Sequence, residues 1–208
     1  EHVVGHHRTV ATHKDPATVR LNESFHRFLP RTIIGSFISA LQFEVKRLKR
    51  RNLSPWSLKN RVVKYSLLQL AILIAVFLIR DEKALLFFLL QSFVAIGLLE
   101  IVNYIEHYGW LRKTVNEQLE TPKPWHSCNS SSLLSNLFLF NLQRHSDHHF
   151  KPARRYHILR HFDDSPQLPT GYAGMIWLAA IPFQWKKIMN PRIESLQANV
   201  LSKLAENN

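Results

Sequence analysis

The residues best equipped for chemistry are histidines, and the 208-residue chain holds 12 of them. Three stretches gather most of them: Glu1-His2-Val3-Val4-Gly5-His6-His7, Asn103-Tyr104-Ile105-Glu106-His107-Tyr108-Gly109 and Gln143-Arg144-His145-Ser146-Asp147-His148-His149. Side chains three or four residues apart share a helix face, so His2 and His6 are expected one turn apart, as are His145 and His149 with His148 beside them. Two imidazoles of one helix then converge on a metal ion. His2, His6, His7, His107, His145, His148 and His149 are too many donors for one tetrahedral ion and suit two. Imidazole binds zinc, copper, iron and nickel alike, so donor type leaves the metal open. The single cysteine, Cys128, lies in none of the stretches, which disfavours a structural zinc site and excludes an internal disulfide. Glu106 and Asp147 adjoin the histidines and are expected to accept imidazole N–H bonds that set the tautomer.

The elements that must position these groups are written in the hydropathy. Tyr65 to Ile79 and Ala84 to Ile105 are apolar runs separated only by Arg80-Asp81-Glu82-Lys83. About 20 apolar residues cross a bilayer core, so the pair predicts a transmembrane hairpin, the first run reaching that length with Val62, Val63 and a snorkelling Lys64. Lys46, Arg47, Lys49, Arg50, Arg51, Lys59, Arg61 and Lys64 precede it with no acid among them, which places that end, and both flanks, in the cytoplasm. Asn22-Glu23 signals a helix start, and Ile33 to Leu48 suits an amphipathic helix on the membrane surface. Thr121-Pro122-Lys123-Pro124 breaks the chain. Ser130 to His149 reads as one helix with serines at its start. Gly171 to Trp185, interrupted by Pro182, is too short to span and reads as interfacial. The expected architecture is an all-α, integral-membrane helix bundle. Residues 1–64 would hold a cytoplasmic histidine motif and interfacial helix, 65–105 the hairpin, and 106–208 a second cytoplasmic histidine-rich region.

His107 falls just past the second apolar run, and Glu100, Asn103 and His107 lie on one stripe. A carboxylate in a spanning helix costs about 2.5–3.5 kcal/mol on insertion scales, so the stripe is expected to face the bundle interior. A metal centre there, at the membrane surface, can receive a substrate dissolved in lipid.

The stretches EHVVGHH (1–7), NYIEHYG (103–109), LQRHSDHH (142–149) and RHFDDSPQLPTGY (160–172) resemble the membrane-bound alkane 1-monooxygenases, relatives of the membrane fatty-acid desaturases. The resemblance implies two iron ions held by nine histidines, of which His2, His6, His7, His107, His145, His148 and His149 match positions here. Two more would come from an HExxxH motif upstream. Glu1 lies inside a motif, so the chain is expected to be a carboxyl-terminal fragment, inactive by itself. His13, His26, His126, His157 and His161 match no ligand position and are expected to be structural or surface residues. The resemblance further implies O2-dependent hydroxylation of the terminal carbon of a linear alkane. Its electrons would come from a rubredoxin, served by an NAD(P)H-dependent reductase. Rubredoxins are acidic, and Arg144, Lys151, Arg154, Arg155 and Arg160 are the expected dock; anionic lipid headgroups are the other partner those bases suit.

The net charge of +12 by itself would also fit a nucleic-acid binder. The apolar hairpin argues against that, because the bases bracket it as membrane topology requires. A desaturase, an aromatic side-chain hydroxylase or a histidine-rich membrane metal transporter or sensor would share histidine clusters. Transporters, however, place their ligands within the spanning helices.

Overall fold

The computed structural model describes residues 2–115 and 118–206 and is almost wholly helical. A wide π turn, His2–His6, runs into a single α turn, α1 (His7–Thr9). Then come α2 (Phe25–Lys49), α3 (Arg61–Ile79) and α4 (Glu82–Glu106). A two-residue antiparallel ladder joins β1 (Thr114–Val115) to β2 (Gln118–Leu119), with Thr114 opposite Leu119. The helices α5 (Leu133–Phe138), α6 (His145–Phe150), α7 (Tyr172–Ala179) and α8 (Pro182–Glu206) complete the chain.

The apolar runs form α3 and α4, and polar caps start both. Asn60 accepts hydrogen bonds from the backbone N–H of Val62 (2.9 Å) and Val63 (3.3 Å), and Asp81 accepts one from Ala84 (2.8 Å). Both helices are long and apolar enough to cross a membrane; α3 and the first part of α4 bury almost nothing within the protein, whereas Glu100, Ile101, Tyr104, Ile105 and Glu106 at the end of α4 are buried. A soluble core helix would bury its apolar run; these leave most of theirs bare for lipid. The hairpin is tied to α2 by Glu44, a buried carboxylate that accepts from Arg47 (2.6 Å) and Arg61 (2.8 Å). The Arg47 guanidinium, more than Arg61, holds the Glu44 carboxyl down at about 2 against the pull of burial. Ile34, Phe37 and Ile38 leave an exposed apolar face on α2, the amphipathic pattern expected of an interfacial helix.

The core sits at the histidine end of α4. Tyr104, Tyr108, Trp185, Phe28, Met189 and Ile193 pack there, joining α2, α4 and α8. Tyr104 donates to the carbonyl of Glu23 (2.7 Å), while Tyr108 donates to Asn190 Oδ1 (2.7 Å) and accepts from the Asn22 N–H (3.1 Å). Gly109 turns the chain away from α4 at φ +78°, and a Cβ there would meet Ile193 at 3.1 Å and Leu21 at 3.2 Å. Glycine is required on both counts. The bridge between Val19 and Tyr108 and the bonds from Arg112 to the carbonyls of Arg8 (2.7 Å) and Val10 (2.6 Å) bring the amino-terminal segment against the end of α4.

Several expected boundaries move. The helix expected from Ser130 to His149 is two short helices, α5 and α6, because Phe140 (φ 51°) and Asn141 (φ 60°) adopt the left-handed conformation between them. The helix signalled at Asn22-Glu23 begins at Phe25, since Asn22 is itself left-handed (φ 67°) and Ser24 is still extended. The stretch from Gly171 to Trp185 divides at Pro182, which opens α8, where its missing N–H costs nothing. Tyr172, Met175, Ala179 and Trp185 enter the core, and Trp177 and Phe183 stay exposed.

Candidate metal centre

Each histidine stretch is placed by a different local device. His107 is the residue at which α4 ends, its N–H still bonded to the Asn103 carbonyl (3.1 Å). The α6 helix carries His145, His148 and His149, and its start is pinned from both sides: Asn129 Oδ1 accepts the Ser146 N–H (2.9 Å), and Asn129 Nδ2 donates to Ser146 Oγ (2.7 Å). The π turn carries His2 and His6, and His7 opens α1 directly after it.

These segments bring seven imidazoles into two adjoining groups. In one, His6, His107, His145 and His149 are all buried; in the other, His2, His7 and His148 are more open; within each, one nitrogen per ring lies within 4.8 Å of the rest. The rings of His7 and His149 stand 4.8 Å apart, so the groups share a wall. The i,i+4 pair His145 and His149 does share one group, as helical spacing requires. His2 and His6 do not. In the π turn the residues that meet are five apart, and His2 Nε2 lies 3.3 Å from His7 Nε2 while His6 joins the buried group.

The buried group makes a metal the natural occupant. His145 Nε2 lies 3.1 Å from His107 Nε2, 2.8 Å from His149 Nε2 and 3.3 Å from Glu106 Oε2. One proton cannot satisfy four such atoms, whereas a cation at their centre can. Burial pushes His107, His145 and His149 well below the ordinary imidazole range, with neighbouring histidines adding to the effect. Burial likewise brings His2 and His7 down to about 4. The rings are thus held neutral, the form that offers a lone pair to a metal.

Of the two carboxylates expected against the imidazoles, Glu106 stands beside one and Asp147 bonds elsewhere. Glu106 is buried beside His145 and accepts a hydrogen bond from the Tyr172 hydroxyl (2.6 Å). Asp147 bonds to Arg154 (2.6 Å) and to the Arg160 N–H (2.8 Å) instead of an imidazole. It sits two residues from both His145 and His149, on the opposite side of the helix from them. The carboxylate at an imidazole Nδ1 is Asp15, 2.9 Å from His6 and further held by Thr18 Oγ1 (2.9 Å) and the Ala17 N–H (3.1 Å). Sequence reasoning missed Asp15, since only the fold of the loop after the π turn carries it back to His6.

Of the five bases expected to dock a partner, Arg144 donates to the Leu159 carbonyl and Arg154 is spent on Asp147. Lys151, Arg155 and Arg160 remain exposed. His13, His26 and His157 are exposed, His161 bonds to Ser131 (2.9 Å), and His126, lowered to about 4 by burial, accepts from the Lys123 N–H (2.9 Å). A cavity of about 1040 Å³ opens onto both groups and is lined by Leu99, Val102 and Asn103 of α4 and by Leu139, Phe140, Leu142 and Leu159.

Comparison with known proteins identifies the family of the chain. The sequence profile described as fatty acid desaturase matches residues 1–179, and the chain belongs to that family. Among its relatives, "Alkane 1-monooxygenase 2" of Pseudomonas aeruginosa is 45% identical over 199 residues, or 95% of this chain and 53% of the relative. A protein of the same name from Alcanivorax borkumensis is 46% identical over 207 residues, 98% of this chain and 54% of its own length. The "xylene/toluene monooxygenase hydroxylase component XylM" of Pseudomonas putida is 28% identical over 185 residues, 88% of this chain and 48% of its own. The chain spans about half the length of the curated relatives it matches.

Proposed function

We propose that the chain is the metal-binding half of a membrane-bound monooxygenase that hydroxylates the terminal carbon of linear alkanes. The observation that carries this reading is the convergence of seven imidazoles from separated segments into two adjoining groups, at the end of an apolar helix. One iron ion would be held by His6, His107, His145 and His149, and a second by His2, His7 and His148 with two further histidines of an HExxxH motif. When bound, the iron pair supplies the activation of O2 that places one oxygen atom on the substrate.

The chain's own residues do the rest. Asp15 holds His6 with its Nδ1 proton outward, so that its Nε2 lone pair faces the centre. Leu99, Val102, Leu139, Phe140 and Leu142 provide an apolar wall for an alkyl chain and keep water from it. The eight bases before the hairpin favour a cytoplasmic-membrane protein with its histidines on the cytoplasmic side. A rubredoxin would dock at Lys151, Arg155 and Arg160, which are exposed to meet an acidic surface, Arg160 while also bridging Asp147 at 3.5 Å.

The test is product analysis with the intact protein. Octane or hexadecane should give the 1-alkanol with iron bound; an alkene points to a desaturase and a benzylic alcohol from xylene to the aromatic side-chain reaction. About one zinc and no iron would overturn the oxygenase reading.

A further inference from the structure

The α5 helix and the loop after it are built inside out. Asn136 is 8% exposed and turned inward, donating to the Ser130 carbonyl (3.2 Å), whereas Leu133 is 81%, Leu137 71%, Phe138 76% and Phe140 68% exposed. From Ser127 to Gln143 there is no charged residue. An apolar patch of this kind marks a partner or a membrane.

Two observations favour hydrocarbon. The first is depth. Phe140 and Leu142 line the same cavity as Leu99, which lies eight residues before His107 on α4, about 12 Å down the helix at 1.5 Å per residue. Phe140 and Leu142 therefore share a cavity with a residue inside the apolar run of the spanning helix. The second is hydrogen bonding. Backbone groups exposed to lipid must be satisfied internally. Here Leu139 N–H bonds to Ser135 O (2.9 Å), Asn141 N–H to Asn136 O (2.8 Å) and Leu142 N–H to Leu139 O (2.9 Å), and Asn141 Nδ2 donates to the Tyr156 carbonyl (3.3 Å).

We infer that residues 133–142 form a lip inserted among the acyl chains of the leaflet beside the histidines, with Phe140 and Leu142 at a lateral entrance from the bilayer to the cavity. This rests on the reading of α3 and α4 as a membrane hairpin, and the experiment separates the two. Leu137→Cys is labelled with an environment-sensitive fluorophore in the intact protein, with Cys128→Ser and any cysteine outside this sequence replaced, reconstituted in phosphatidylcholine vesicles with or without doxyl-labelled lipid. Leu98→Cys on α4 serves as the reference. Quenching of the Leu137 label by as large a factor as the Leu98 label supports the lip. Quenching at Leu98 alone overturns the lip and leaves the hairpin standing, whether iodide in the water then reaches Leu137 or a protein segment covers it. Quenching at neither overturns both. For the entrance, Leu142→Trp should raise the apparent KM for hexadecane supplied in the bilayer while bound iron is unchanged; an unchanged KM removes that role.

Discussion

The two histidine groups share a wall but are built differently. His6, His107, His145 and His149 are buried, and two carboxylates stand against them, Asp15 on His6 and Glu106 beside His145. His2, His7 and His148 are more exposed; His2 Nε2 lies 3.3 Å from His7 Nε2, and the His148 ring stands 4.7 Å from the His7 ring. The buried group draws on three segments locked by the aromatic core and by Asn129; the open group hangs on the π turn and the outer side of α6. The difference teaches that a donor set completed and oriented within this chain should resist loss of metal more than one left open to solvent.

His149→Ala in the intact protein breaks the buried group directly and carries the largest expected effect: hydroxylation falls to background and bound iron drops by half or more, read by product analysis and metal analysis together. Wild-type turnover with full iron would refute its place in the site. His148→Ala should instead remove iron from the open group and leave the buried-group iron in place. Next comes Asp15→Asn, which keeps shape but weakens the hold on His6. Metal affinity should fall about 10–100-fold, measured by competition with a chelator, while the unfolding temperature of the metal-free protein changes little. Arg154→Gln strips a partner from buried Asp147 and should cost about 1–3 kcal/mol of stability. The smallest effect is expected for Arg155→Glu, which raises the apparent KM for rubredoxin and leaves iron untouched.

Acid gives a further way to compare the groups. His2 and His7 sit near 4, below the ordinary imidazole value of 6.5. The unfolded chain therefore binds more protons between those values, so stability present above about pH 6.5 is lost as pH falls toward 4. Thermal melts of chelator-treated protein should show the midpoint falling across that window. A flat midpoint would mean that the rings are already solvated.

Much of this was legible in the residues, and the failures have physical causes. The apolar runs announce α3 and α4, and the four-residue step from His145 to His149 gives a shared ring position because α6 is an ordinary helix. The same step from His2 to His6 misleads because the local helix is a π turn, which no residue type there declares. Left-handed Phe140 hides a helix break, since phenylalanine seldom adopts that conformation. Asp15 stayed invisible because its contact with His6 depends on a loop path, and Asp147 misled because sequence adjacency on a helix is not side-chain adjacency.

An iron-edge anomalous difference map of the intact protein would address the pairing of the histidines most directly. Two peaks are expected, one within bonding reach of His6, His107, His145 and His149 and the other of His2, His7 and His148. Peaks away from these rings, or a single peak among cysteines elsewhere, would contradict the account.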